Sequence, residues 1–378
     1  MGLKSFSASL QFDRPKTWSW CKPRLKAGAA NFWDMSVLAV DVGAGTQDVL
    51  LFQESQDAEG SLKMVLPSPT VVVAKRIEQC TQRGVGIYLD GWTMGGGSSV
   101  SAVLEHLRSG LPVYATSAAA LTINDDLSRV RALGVRVGQM PPDGVERIRM
   151  GDLDMIGLAW AFRLFGVDLP SDVAVAVQDH GFSPGASNRI ARFRHMARFI
   201  RQGGRVTNFS FCRPPEFLSR MAAAGLCLEG QGFSPLLMDT GPAAIFGAMQ
   251  DERVTQPALA LNVGNGHTIA ALVDDDRIFG LFEHHTSSLS PSRIADMMGR
   301  FVKGELTQDE VFGDGGHGVY IEEVSDRLEC VVVTGPQRHR LKSGLSGLGD
   351  VVMAAPWGDM MIAGCVGLVE AWRCAGRR

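Results

Sequence analysis

The stretch from Ser36 to Phe52 (SVLAVDVGAGTQDVLLF) reads as a buried strand, a turn holding Gly43 and Gly45, and a second strand heading back. The same order returns in the second half. Residues 257–273 (PALALNVGNGHTIAALV) again give strand, glycine turn and strand, with Asn262 where Asp41 stands. Two copies of one unit point to duplicated α/β domains facing each other. Glycine has no Cβ, so such a turn is free to take positive φ and to let a ligand approach its backbone. Successive N–H groups in it form a concave nest that suits a phosphate. Asp41, ending the first strand, is placed to hold Mg²⁺ or a water. Alone, each turn also describes an ordinary hairpin; the repeat is what gives it weight.

Composition narrows the function classes. The 378 residues are 45% hydrophobic and 20% charged, with a formal net charge of −3. That balance gives no electrostatic case for nucleic acid or an anionic membrane. No apolar run reaches the roughly 18 residues of a spanning helix. The seven cysteines are scattered and show neither close CxxC pairs nor a three-cysteine cluster motif. They read as reduced, mostly buried thiols, and the expected location is cytoplasmic. Residues 1–35 are basic and tryptophan-bearing without periodicity, and are expected to be a disordered N-terminal extension.

Taken in order, 36–142 reads as a first α/β domain, 143–250 as a mainly helical insertion, and 251–378 as a second α/β domain. Val85–Asp90 is a buried strand followed by Gly95, Gly96 and Gly97 and a Ser-capped helix. Cys330–Thr334 reads as its counterpart in the second half. Inside the helical region, Asp172–Val177 is an apolar strand ending in Gln178, Asp179, His180 and Gly181. Ligands of open α/β sheets bind beyond the carboxyl ends of strands, which makes that end a candidate site.

Asp179 is therefore the first candidate for a general base or water-positioning residue, against the plainer account of an Asx turn closing a loop. Asp90, ending its own strand, is a second acid candidate. The three glycines after it suit either a phosphate contact or a mobile hinge. His284 and His285 are adjacent on a strand and point to opposite faces, so both cannot easily hold one ion. His317 lies in a glycine-rich loop and needs a distant partner to bind zinc. Asp359 reads as a helix cap, and the arginines from Arg189 to Arg201 as a solvated amphipathic face.

Two glycine-turn hairpins at equivalent points of paired domains resemble the phosphate motifs of the actin, sugar kinase and heat-shock chaperone superfamily. The resemblance covers about residues 36 to 376 and implies two ribonuclease-H-like domains facing a central cleft, with ATP and Mg²⁺ as cofactors. It matches Asp41, Gly43, Gly45 and Thr46 to the first phosphate turn, and Gly264, Gly266 and Thr268 to the second. Thr334, Gly335, Gly358 and Gly364 fall where adenosine contacts lie. Two departures stand out. Asn262 replaces an aspartate, and Gln47 and Asp48 occupy the place of a basic residue. Asp48 beside a triphosphate is unfavourable unless Mg²⁺ lies between them.

The set VDVGAGTQDVLL, GWTMGGGS, AVQDHG, LNVGNGHT, LFEHHT and PWGDMMIAGCVGL also resembles a family labelled pyruvate formate-lyase-activating-enzyme-like. That label implies radical S-adenosylmethionine chemistry, whose three-cysteine motif this sequence lacks, so no iron–sulfur cluster is expected. The leading expectation is a Mg²⁺-dependent ATPase or small-molecule phosphotransferase that binds a nucleotide and acts on a small-molecule or protein substrate. It includes an ATPase that activates a partner enzyme. The alternative is a partner-binding scaffold that keeps the fold without the chemistry. A metal-dependent hydrolase using Glu283 and His284 ranks last.

Overall fold

The computed structural model describes residues 35–185, 187–324 and 327–376. The expected disordered extension, apart from Met35, lies outside the described residues. Three antiparallel strands open the first unit: β1 (Ser36–Val42), β2 (Thr46–Gln53) and β3 (Leu62–Pro67). Val37 to Val40 are all buried, because both faces of β1 are covered, and the run is continuously apolar for that reason.

The chain then leaves this sheet. Helix α1 (Pro69–Arg83), β4 (Ile87–Gly91), α2 (Gly97–Arg108), β5 (Val113–Ala115), α3 (Ser117–Ala120), α4 (Leu127–Ala132), β6 (Arg136–Val137) and β7 (Glu146–Met150) build a second, parallel sheet ordered β6-β5-β4-β7. This layer has its own apolar core around Val73, Ile77, Ile87, Leu89 and Val113.

The first sheet resumes after helix α5 (Met155–Arg163). β8 (Asp172–Val177) pairs parallel with β1. Helix α6 (Asn188–Arg201), β9 (Ser210–Phe211), α7 (Ser219–Glu229), β10 (Ser234–Met238) and α8 (Thr240–Ala248) follow, and the sheet order is β3-β2-β1-β8-β10-β9. The second unit contains β11 (Ala258–Val263), β12 (His267–Asp274), β13 (Arg277–His285), α9 (Pro291–Val302), α10 (Gln308–Gly313), β14 (Gly318–Ile321), β15 (Cys330–Thr334), α11 (Arg338–Leu345), β16 (Val351–Met353) and α12 (Ala363–Gly376). Its sheet order is β14-β13-β12-β11-β15-β16. In both sheets an antiparallel three-strand meander is extended by two parallel strands, β8 and β10 in one and β15 and β16 in the other. The duplication is thus one of topology, and the fold is the expected pair of ribonuclease-H-like, actin-like domains.

Two expectations are corrected. Residues 143–250 are not an insertion, since they supply β8, β9 and β10 of the first sheet. The segment that stands apart is 69–150. The counterpart of β15 is β8, beside β1, and not the strand at Val85–Asp90, which belongs to the separate layer. An apolar run identifies a buried strand, but the sheet it joins is set by pairing with distant residues.

The two units are locked together by α8 and α12. A Cβ added at Gly247 would overlap the Ala363 carbonyl, and one at Gly367 would overlap that of Ala243, so the helices cross backbone to backbone. Helix α8 leaves the first sheet to lie against β11 and β15, while α12 leaves the second to lie against β1 and β8. Alternation along β11 fits this. The small Ala258 and Ala260 face the core shared by the units, and Leu259 and Leu261 face a separate core with Ile294, Met298 and Phe301. No helix among the described residues is long and apolar enough to cross a membrane.

Candidate functional site

The two glycine turns are built by identical bonds. Gly43 N–H donates to the Thr46 carbonyl at 2.9 Å, and Gly264 N–H to the His267 carbonyl at 2.9 Å. The Ser68 hydroxyl donates to the Gly43 carbonyl at 2.7 Å, and the Thr286 hydroxyl to the Gly264 carbonyl at 2.8 Å. Ser68 N–H and Thr286 N–H complete the match on Gly45 and Gly266, each at 3.0 Å. None of these four glycines has positive φ. Glycine is needed at the first position of each turn for a different reason. A Cβ at Gly43 or Gly264 would press on a turn carbonyl, at 3.0 and 2.8 Å.

The turns face each other. A Cβ added at Gly45 would stand 3.4 Å from the Asn265 side-chain nitrogen of the opposite turn. Beside them runs a cavity of about 420 Å³, lined by both turns and by Gln178 to His180, among others. Of the expected site residues, it gathers Asp41, Gly43, Gly45, Thr46, Asp179, Gly264, Gly266, Thr334, Gly335 and Gly364. Three others fall elsewhere. Thr268 is fully buried and bonds the Thr286 hydroxyl at 3.0 Å, bracing the second turn from behind. A Cβ added at Gly358 would stand 3.8 Å from the Glu59 carboxylate, and this glycine lies off the cavity. Asp90 accepts from Arg147 Nε at 2.8 Å, also off the cavity. The requirement at Gly364 is steric too, since a Cβ there would overlap the Asp41 carboxylate.

Asp41 and Asp48 are direct cross-strand partners in the β1–β2 ladder, and both line the cavity. Each keeps a buried Oδ1 without a hydrogen-bond partner. Desolvation pushes the Asp41 carboxyl up to about 7, partly offset by the Thr240 hydroxyl and reinforced by Asp239. Desolvation, then the charges of Asp41 and Asp359, push Asp48 up to about 8. The Thr334 hydroxyl, buried on the same cavity wall, is also unpartnered.

At the end of β8 the side chains divide their work. Asp179 is buried, and its oxygens accept from Gly181 N–H at 2.8 Å and Met221 N–H at 2.9 Å. Both oxygens are thus occupied in holding loops, as an Asx turn requires, which removes Asp179 as a free base. His180 instead reaches the cavity, with Asp125 Oδ2 3.7 Å from its Nε2. Arg220 forms a two-pronged ion pair with Asp152, at 2.7 and 2.8 Å, and also donates to the Gln178 carbonyl at 2.8 Å. Asp152 in turn accepts from Gly95 N–H at 3.1 Å. The glycine loop is therefore tied to the first sheet by Arg220 and packed against its guanidinium.

The expectation of a solvated arginine face on α6 is overturned at Arg192. It is 1% exposed. Its guanidinium grips both oxygens of Asp239, at 2.6 and 2.9 Å, and donates to Glu283 Oε2 at 2.6 Å. Asp239 caps α8 through Gly241 N–H at 3.0 Å, and Glu283 belongs to β13, so this arginine joins the two units. Its signal was in the spacing. Arg192, Met196 and Phe199 recur at helical intervals on the buried stripe of α6. His284 points away from the cleft, stacking near Phe282 and bonding Asp314 at 3.1 Å, whereas Glu283 faces the cleft.

A protein-family model described as "Putative pyruvate format-lyase activating enzyme (DUF1786)" matches residues 94–340. No curated protein matches the chain. Among solved structures, an inorganic polyphosphate/ATP-glucomannokinase from Arthrobacter sp. strain KM is similar at 11% identity and TM-score 0.35, covering 90% of this chain and 99% of that one. A Bacteroides thetaiotaomicron protein with an actin-like ATPase fold and unknown function aligns at 7% identity and TM-score 0.35, over 90% and 99%. The Clostridium difficile activator of 2-hydroxyisocaproyl-CoA dehydratase, with bound ADPNP, aligns at 8% identity and TM-score 0.28, over 91% and 96%.

Proposed function

We propose that this chain, which belongs to the DUF1786 family, binds ATP with Mg²⁺ between its two glycine turns and transfers or hydrolyses the γ-phosphate. One observation carries the reading. Two turns with the same bonding meet across a cavity whose wall holds two facing carboxylates with unpartnered buried oxygens. Backbone amides at close-packed glycines suit a polyphosphate, and orphaned carboxylate oxygens suit a hard divalent cation.

Asp41 and Asp48 are the residues that would hold Mg²⁺. The chemistry it would supply there is positive charge to offset that of the phosphates. The Gly43–Thr46 and Gly264–His267 turns would hold the phosphates, and Thr334 and Gly335, on the same cavity wall, would meet the rest of the nucleotide. Gly364 allows α12 to begin against Asp41, fixing that carboxylate in place. The acceptor side is formed by His180, Asp125 and Asn188, all on the cavity wall. His180, with Asp125 3.7 Å from its ring, is suited to take the proton of an attacking hydroxyl or water. Asp179 holds the loop that presents it.

The family description implies cluster chemistry on cysteines, and the donor set does not fit it. Cys80, Cys227, Cys330 and Cys365 are buried at separate points, and the Cys330 and Cys365 thiols bond the Thr255 and Asp48 carbonyls. Among the described residues no three cysteines are grouped as ligands.

A crystal grown with a non-hydrolysable ATP analogue and Mg²⁺ tests the reading. The phosphates are expected between Gly45 and Gly266, with the ion at Asp41 and Asp48; a nucleotide bound elsewhere contradicts it. The alternative, a scaffold without chemistry, draws on Asn262 replacing the second acid. It requires that the pure protein release no phosphate from ATP.

A further inference from the structure

Three histidines from separate segments converge beneath the second glycine turn. His267 opens β12, His285 ends β13, and His317 immediately precedes β14. Their ring centroids lie 4.7 to 5.1 Å apart in all three pairings. One nitrogen from each falls within 4.8 Å of the others. We propose that His267, His285 and His317 form a site for a borderline-soft divalent transition ion, zinc foremost, with its remaining position open to the cavity.

The geometry and surroundings support a metal over mere packing. Tetrahedral zinc with Zn–N bonds of about 2.0–2.1 Å sets its ligand nitrogens roughly 3.3 Å apart, so small side-chain rotations close the set. His317 is buried with an Nδ1 that has no hydrogen-bond partner, which is costly for a packed imidazole and ordinary for a ligand. His267 and His317 line the cavity, so three imidazoles with an exposed fourth position match the open pattern of a reactive metal site. Glu283 Oε1, fixed by Gln178 at 2.9 Å, stands 3.9 Å from His317 Nδ1 and puts a carboxylate beside the site.

The set is separate from the Asp41–Asp48 pair, which offers only oxygen to a hard ion. The proposal therefore stands whether or not ATP binds.

The test is titration of the chelator-treated full chain with Zn²⁺ alone, followed by Co²⁺ alone with visible absorption. One ion per chain is expected, with the intense ligand-field bands of low-coordinate cobalt. His267→Gln, His285→Gln and His317→Gln should each weaken binding by more than the roughly 10–100-fold that loss of an outer partner costs. Asp41→Asn and the exposed His339→Gln should leave zinc binding unchanged. The proposal is overturned if the folded wild-type chain binds no stoichiometric zinc, or gives only the faint spectrum of hydrated cobalt. Zinc binding that survives all three histidine variants also overturns it. Should a variant unfold, the cobalt spectrum of the wild-type chain decides.

Discussion

Asp41 and Asp48 stand directly opposite each other across the β1–β2 ladder, both against the cavity and each with a buried oxygen left unpartnered. Like charges in that relation destabilise a hairpin, so the pair is at rest only with a shared proton or a cation. Both carboxyls are raised, to about 7 and about 8. A raised carboxyl makes the folded state bind protons more tightly than the unfolded chain. Its contribution is therefore complete below the ordinary carboxylate range, and is lost as pH rises through 7 to 8. Relative to wild type, metal-free Asp48→Asn should gain about 1 kcal/mol at pH 8, roughly 2 °C in Tm, and little at pH 4. Added Mg²⁺ should raise the wild-type Tm at pH 8 and leave the variant nearly unmoved. Thermal melts across pH, with and without Mg²⁺, check both.

Arg192 neutralises two acids that share its burial, Asp239 and Glu283. Truncating one partner of such a group strands uncompensated charge, at a cost of about 3–5 kcal/mol. Denaturant unfolding of Arg192→Ala should show that loss. Arg213→Ala, which removes a long, exposed pairing with Glu229, should fall within about 1 kcal/mol of wild type. Equal effects would mean that the buried network does not join the units.

The sequence carried the repeat, and with it the fold, because buried strands and glycine turns are local signals. Asp41, Gly43 and Gly264 were readable since the turn that needs them lies within a few residues. Other features depend on contacts across long separations. Ser68 and Thr286 anchor equivalent turns, yet neither sits in the glycine motif that suggests them. Val85–Asp90 and Cys330–Thr334 read as counterparts because both are apolar strands, and only pairing with β1 identifies β8 as the true counterpart. The three histidines are separated by 18 and 32 residues, a spacing outside the short motifs of zinc sites, and strand register alone brings them together. Asp179 stands out in the sequence for its position at a strand end, but backbone amides occupy its oxygens.

His180 and Asp179 separate in their predicted effects. His180→Gln should lower phosphate release or transfer by about 10²–10⁴-fold, the usual scale for general acid–base help, with nucleotide affinity nearly unchanged. Asp179→Asn should mainly cost stability, because it disturbs bonds to Gly181 and Met221. Steady-state kinetics beside denaturant unfolding separates the two roles.

Gly364→Ala should displace the Asp41 carboxylate that its Cβ would overlap. A loss of at least about tenfold in ATP–Mg²⁺ affinity, or roughly 1.4 kcal/mol, is expected. Gly358→Asn, off the cavity and at a left-handed φ of 74° that asparagine tolerates, should bind as wild type. Equal affinity in both variants would place the nucleotide away from Asp41.

The most direct measurement is isothermal titration of the full chain with ATP in the presence and absence of Mg²⁺. The account predicts one site per chain that requires Mg²⁺ and is weakened at least about tenfold by Asp41→Ala. No binding, or binding indifferent to both Mg²⁺ and Asp41, would contradict it.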